Sequence, residues 1–432
     1  MNKTKWGFGL KKQHYVITIL GSAGGVANGI LSILNKSSIN QNDPLHHIMS
    51  KCEIHLIDYE QKDAITYSQL FPQLKGQFIL HKYDLKDTKQ FIEHLKKSQT
   101  DVVIDLSWAD TVDMMKCCDE VGISYVNTAL ENTMIDENEE LYEGFGLIER
   151  FRHLEKYKDN FSNLTAIIGS GMNPGVVQWM VHELLKTDSP ENKPIGCYIV
   201  EHDNSFYKNP KLAKKDTIYT TWSPECFLDE AILSFPMFMQ HHNPLFFYEK
   251  VYDLEFKVKL GDIEFDGCLM PHEEVYTLCK QYDMEGGFLY KVNEHTTNLI
   301  RENIKDVDKL WNHEMKVLDP NDAPLSGKDL VGVLLVYPNK ERYMYNVLSN
   351  QSIYSEYNTN ATYFQVACGV YASLSVLLLD NLEKGAYYVD ELLINTKNNF
   401  GKYLTKYMTE FVTGENEQSD GLLHQRMKNL RK

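Results

Sequence analysis

The chain has 432 residues, 43% of them hydrophobic and 24% charged, with a formal net charge of −16. That length exceeds one compact core, so two domains are expected, and the composition is that of an ordinary globular protein. The acidic balance argues against nucleic acid and anionic membrane surfaces as partners, since both are polyanions, and it tolerates a cationic substrate.

The basic start (MNKTKWGFGLKK) runs straight into a strand without an apolar signal-peptide segment, and no apolar run has the length of a membrane span. A cytoplasmic protein is therefore expected. Residues 15–20 (YVITIL) read as a buried parallel strand stopping at Gly21. Helical spacing follows over 26–34, a polar insertion over 36–44, and a second strand over 53–57 that ends at Asp58. Strands at 78–84 and 102–106, helices at 88–97 and 111–120, and strands at 124–127 and 164–168 continue the alternation. Alternation at this interval means parallel βαβ units. From about 195 to 270 the strands lengthen and helices thin out, as in an α+β domain on a mixed sheet. A buried strand at 331–336, a long apolar helix over 364–382 and an amphipathic helix over 400–412 follow, then an acidic linker (414–420) and a basic, mobile tail.

The expected fold class is thus α/β, with a Rossmann-type parallel-sheet domain, an α+β substrate domain, and C-terminal helices returning to the first domain. The expected boundaries are 1–170, 171–340, 341–395 for the returning helical segment, and 396–432 for the amphipathic helix and tail. Eight cysteines without a C-x-x-C read as reduced thiols. His46-His47 and His241-His242 lack the spacing that puts two imidazoles on one helix face, so no metal is expected.

A dinucleotide site needs a strand feeding a tight, small-residue turn into a helix, so that pyrophosphate meets free backbone N–H groups. Gly21-Ser22-Ala23-Gly24-Gly25-Val26-Ala27 fits G-x-x-G-x-x-A and departs from the strict G-x-G-x-x-G. Asp58, ending the second strand, is placed to hydrogen-bond a ribose 2′-hydroxyl, which favours NAD over NADP. Polar groups at later strand ends extend the site: Ser107 in Leu106-Ser-Trp-Ala-Asp110, Thr128 in Asn127-Thr-Ala-Leu-Glu131, the turn Gly171-Met-Asn-Pro-Gly175, Glu201-His-Asp203, and Thr221-Trp-Ser223 with Glu230.

Taken with Asp84-x-x-Asp87, Gly171-x-Asn-Pro-Gly175, Glu201-His-Asp203, Thr221-Trp-Ser223 with a Glu eight residues beyond its Trp, and Asp329-Leu-Val-Gly-Val-Leu-Leu335, the chain over about residues 15–392 resembles the bacterial homospermidine synthase family, within the saccharopine dehydrogenase-like superfamily. The resemblance implies NAD as cofactor and a tunnel for a linear diamine, with aminobutyl transfer from putrescine (or spermidine) to putrescine as the reaction; a homodimer is the expected assembly. It implies that Trp222 holds an ammonium or imine by cation–π contact, that Asn173 orients the reacting amine, and that Glu131, Glu201, Glu230 and Asp329 bind amino ends. It also places the family's first-domain aspartate near Asp110 and its substrate histidine at either His272 or His295. Two other readings stand beside it. One is an NAD(P)H reductase of the superfamily, such as a saccharopine or carboxynorspermidine dehydrogenase, which would need convergent Arg or Lys; Lys208, Lys211, Lys214 and Lys215 are its candidates. The other is an NAD(H)-binding sensor without turnover.

Overall fold

The computed structural model describes residues 12, 14–142, 144–188 and 192–430. Its first sheet is built from strands β1 (Val16–Leu20), β2 (Glu53–Ile57), β3 (Phe78–His81), β4 (Val102–Asp105), β5 (Ser124–Asn127) and β6 (Thr165–Ile168). Every residue of β1, β4 and β6 is buried, which is why these strands are continuous apolar runs and not alternating ones. The sheet is parallel throughout and has seven strands, in the order 385–388, β6, β5, β4, β1, β2, β3. Successive connections leave β1 in opposite directions, so a crevice opens at the carboxyl ends of β1 and β4.

The seventh strand, Gly385–Tyr388, comes from far along the chain and pairs with β6. Helix Ala361–Leu379 leads to it and packs on helix Gly25–Ser37, as the expected return to the first domain requires. That helix is long and apolar enough to cross a membrane, but 72% of its apolar window is buried inside this fold. The polar insertion is also tied down. Buried Asp43 accepts hydrogen bonds from Ser37, from the Leu45 amide and from the hydroxyls of Tyr371 and Tyr407.

The second sheet has ten strands and is mixed. Its centre is β7 (Gly196–Asp203), parallel to Glu285–Lys291 on one side and antiparallel to Lys328–Val336 on the other. Strand Glu341–Ser349 extends this sheet, so residues 341–349 belong to the second domain and not to the returning helical segment.

The C-terminal expectation is corrected further. The helix covers only Phe400–Leu404, and Phe400, Leu404 and Met408 are buried within the chain's own core. Residues 412–430 are no mobile tail. Val412–Asn416 pairs with Glu341–Ser349, and Met427–Asn429 pairs with Leu254–Leu260. Between them Arg426 makes a fully buried ion pair with Glu341, whose carboxylate also accepts from Asn416 and the Asp420 amide. These strands are short and polar, so they lack the apolar run that announces a buried strand.

Candidate active site

The nucleotide turn is held by its surroundings. Gly21 has φ +68°, and a Cβ there would lie 2.4 Å from the Leu106 carbonyl oxygen, so only glycine closes the turn against the end of β4. Asp58 accepts hydrogen bonds from the Ala23 and Glu60 amides, fixing the turn to the end of β2. The Ser22 hydroxyl points inward to Gln61 and Tyr67. Gly24, Gly25 and Val26 instead open onto a cavity of about 660 Å³, which Ser107 and Thr128 also line. Gly21, Ser22, Ala23 and Asp58 therefore shape the turn from behind, while Gly24 to Val26 face the ligand space. This bare-backbone mouth at a helix N-terminus fits a pyrophosphate.

The cavity runs from that mouth to the second domain, and its far wall is acidic. Glu131 follows β5, Glu201 lies on β7, Glu230 lies on the turn of π-helix after Pro224–Leu228, and Glu273 follows strand Ile263–Met270. Burial pushes Glu131, Glu201 and Glu230 up to about 8 and Glu273 up to about 7. One oxygen of Glu230, Oε2, is buried without a hydrogen-bond partner. Asn173 Nδ2 donates to Glu201 at 2.8 Å. The helix after it is Val176–Leu185 with Gly175 before it, so Asn173 is no helix cap and its side chain is free to serve the cavity.

Two cations answer these acids. Arg150, on helix Gly146–Lys158, pairs with Asp136 at 2.6 Å and reaches Asp229 at 3.6 Å. His272 bonds to Glu274 through Nδ1. Burial opposes its imidazolium, but Glu274 and Glu230 outweigh that and raise its pKa to about 10. Trp222 lines the same space, its indole N–H donating to the Tyr290 hydroxyl at 3.2 Å. The four expected catalytic residues, Trp222, Asn173, Glu230 and Glu201, thus converge on one cavity with Glu131.

Three expected substrate residues do not reach it. Asp110 caps helix Thr111–Val121 through the Asp113 amide and accepts from Asn132; the β4 acid on the cavity is Asp105, which holds the Ser107 hydroxyl and the Tyr125 hydroxyl. Asp329 is fully buried behind the wall, bonded to the Thr362 hydroxyl and facing Glu201 and Asp203. His295 bonds to the Thr217 carbonyl and packs between Phe206 and Tyr219, so the cavity histidine is His272. Nor do Lys208, Lys211, Lys214 and Lys215 line the cavity. Asp84 and Asp87 have local roles: Asp84 accepts from the Lys86 amide and Asp87 caps helix Thr88–Ser98.

The sequence reading passed over Arg150, Glu273, Glu274, Tyr290 and Tyr363. The run Pro271-His-Glu-Glu274 at a strand end carried a signal that could have found three charged groups at once.

With this geometry in place, comparison with known proteins identifies the first domain. Residues 17–145 match the family described as "Saccharopine dehydrogenase NADP binding domain". The first domain is a Rossmann-type NAD(P)-binding domain, similar to those of the saccharopine dehydrogenase type. A homospermidine synthase from Mesorhizobium japonicum is 22% identical over 338 residues, which cover 65% of this chain and 68% of that protein. Two solved structures show only a distant likeness. Leucoanthocyanidin reductase from Vitis vinifera is 13% identical over 35% of this chain and 46% of its own, less than half its length, with TM-score 0.24. GenD2 from gentamicin A biosynthesis, in complex with NAD, is 8% identical over 81% of this chain and 76% of its own, with TM-score 0.34.

Proposed function

We propose that this protein is a homospermidine synthase, joining two putrescine molecules into homospermidine with release of ammonia. The observation that carries the reading is the cavity wall: Glu131, Glu201, Glu230 and Glu273 line one open cavity, with Glu230 Oε2 unpartnered. Arg150 and His272 answer only part of this acid set, and Arg150 is already paired with Asp136; a dicationic diamine is a ligand that would satisfy the remaining carboxyl groups.

Gly24, Gly25 and Val26 hold the cofactor's phosphates. NAD, when bound, supplies a hydride acceptor and afterwards a hydride donor, so it is not consumed. The chain's own groups prepare the amines. An amine-bearing carbon gives up hydride only once its ammonium has lost a proton; Glu201, pushed up to about 8, takes that proton from its ionised fraction, which grows as pH rises toward 8. Asn173 Nδ2, anchored on Glu201, orients the nitrogen. The Trp222 indole, its N–H committed to Tyr290, stabilises the cationic imine and excludes water from it. His272, charged through Glu274 and Glu230, is a proton donor for the departing ammonia.

The test is incubation with putrescine and substoichiometric NAD. Homospermidine and ammonia without net NADH are expected; stoichiometric NADH without coupled polyamine would refute the reading. Arg150 favours a second one, an NAD(P)H reductase acting on an amino-acid carboxylate, because it is a guanidinium on the cavity wall. Its ion pairs with Asp136 and Asp229 count against that. NADH oxidation driven by a keto acid with an amino acid would support it.

A further inference from the structure

Away from the cavity, three histidines meet on the outer part of the first sheet. His55 lies on β2, His81 ends β3, and His94 lies on helix Thr88–Ser98 with its ring against both of theirs. Each offers a ring nitrogen, and these nitrogens all lie within 4.8 Å of one another. The ring of His81 sits 5.0 Å from that of His55 and 4.6 Å from that of His94, centre to centre. A sheet–helix layer at this depth is ordinarily filled by Leu, Val and Ile, and imidazoles placed there must have their nitrogens satisfied.

The geometry points to a binding site for a divalent transition-metal ion of the zinc class, held by His55, His81 and His94. Three neutral imidazoles suit such ions better than Mg²⁺ or Ca²⁺, which take oxygen ligands. Tetrahedral coordination at about 2.0–2.1 Å separates ligand nitrogens by roughly 3.3 Å. His55 Nδ1 and His81 Nε2 lie 2.9 Å apart and need to open by a few tenths of an ångström, while the His94 nitrogen, within 4.8 Å of both, has to close by up to about 1.5 Å. The other ring nitrogen of His55 bonds to the Glu53 carboxylate at 2.7 Å. A carboxylate on the far side of a ligating imidazole orients the ring and raises its basicity, the outer support that metal sites employ. The ligands stand on two paired strands and a capped helix, and their side chains supply the small adjustment that coordination requires. None of the three lines the catalytic cavity, so the ion would brace the sheet edge beside the Asp58 end of β2 and take no part in the reaction.

The test uses metal-stripped, tag-free full-length protein titrated with Co²⁺ and with Zn²⁺. One equivalent per chain is expected, with the visible absorption of tetrahedral Co²⁺, displaced by Zn²⁺. His81→Gln should abolish the Co²⁺ spectrum. Glu53→Gln, at a partly exposed position that leaves all three ligands intact, should weaken binding about 10- to 100-fold. His47→Gln, at an exposed histidine, should change neither. No Co²⁺ spectrum in the unmodified chain, or one indifferent to His81→Gln, would overturn the site. If His81→Gln unfolds, the Glu53→Gln affinity decides: unchanged binding overturns the proposal, and a tenfold loss sustains it.

Discussion

Glu230→Gln isolates the carboxylate whose orphaned oxygen argues most directly for a cationic ligand. The substitution keeps size and shape and removes the charge. Burial pushes Glu230 up to about 8, so at pH 7 about nine in ten ligand-free molecules carry it protonated, and ionising it to meet an ammonium costs about 1.4 kcal/mol. A hydrogen bond to a charged group contributes about 1.5–3 kcal/mol. At pH 7 the difference left to the carboxylate is roughly 0–1.6 kcal/mol, a ratio of about 1- to 15-fold in putrescine affinity. At pH 8.5 the ionisation cost has largely vanished while the ammonium is still charged, and the ratio grows to about 10- to 150-fold. Calorimetric titration of NAD-loaded enzyme with putrescine at both pH values measures this. Unmodified protein should also release protons into buffer on binding at pH 7, and the variant fewer. A wild-type to variant ratio that stays constant between pH 7 and 8.5 would show that Glu230 does not meet the ammonium.

Three further outcomes follow from the same structure. The ligand-free protein should lose stability as pH rises. Glu131, Glu201 and Glu230 hold protons in the fold up to about 8 but only to the ordinary 4.5 when unfolded, and His272 holds its proton to about 10 against 6.5. The melting temperature should therefore fall from pH 5 to 9 and recover with putrescine; a rise over that window would contradict the assigned burial. Trp222→Ala should lower kcat/KM about 2- to 30-fold, the loss of about 0.5–2 kcal/mol of cation–π stabilisation, with NAD affinity unchanged; equal loss of NAD binding would mean a packing role instead. Arg426→Met should destabilise the fold by about 3–5 kcal/mol in urea unfolding, because it strands the buried Glu341 carboxylate. A loss below 1 kcal/mol would return residues 412–430 to the status of a dispensable tail.

What was readable in the sequence, and what was not, divides along a physical line. β1, the glycine turn and β4 were legible because strands buried on both faces must be apolar runs, and because backbone approaching phosphate must shed side chains. Trp222, Glu230, Glu201 and Asn173 were legible as a set through resemblance, and the fold brings them together. Val412–Asn416 and Met427–Asn429 were not, since they earn their place by edge pairing and by one ion pair between residues 85 apart in the chain. The acids show the limit most sharply. Asp110 and Asp105 stand five residues apart with the same chemistry, yet one caps a helix and the other lines the cavity. Glu273 and Glu274 look like an exposed acidic pair but face inward, one on the cavity and one clamping His272. Whether a carboxyl group is a cap, a counter-ion or a base depends on what lies opposite it, and for Glu273 that is the Leu130 amide of the other domain. The two domains each carry part of the acid set, with Arg150 and His272 as its cations and Glu230 Oε2 left over, and that surplus of acid is the physical reason the diamine reading is the one proposed for this cavity.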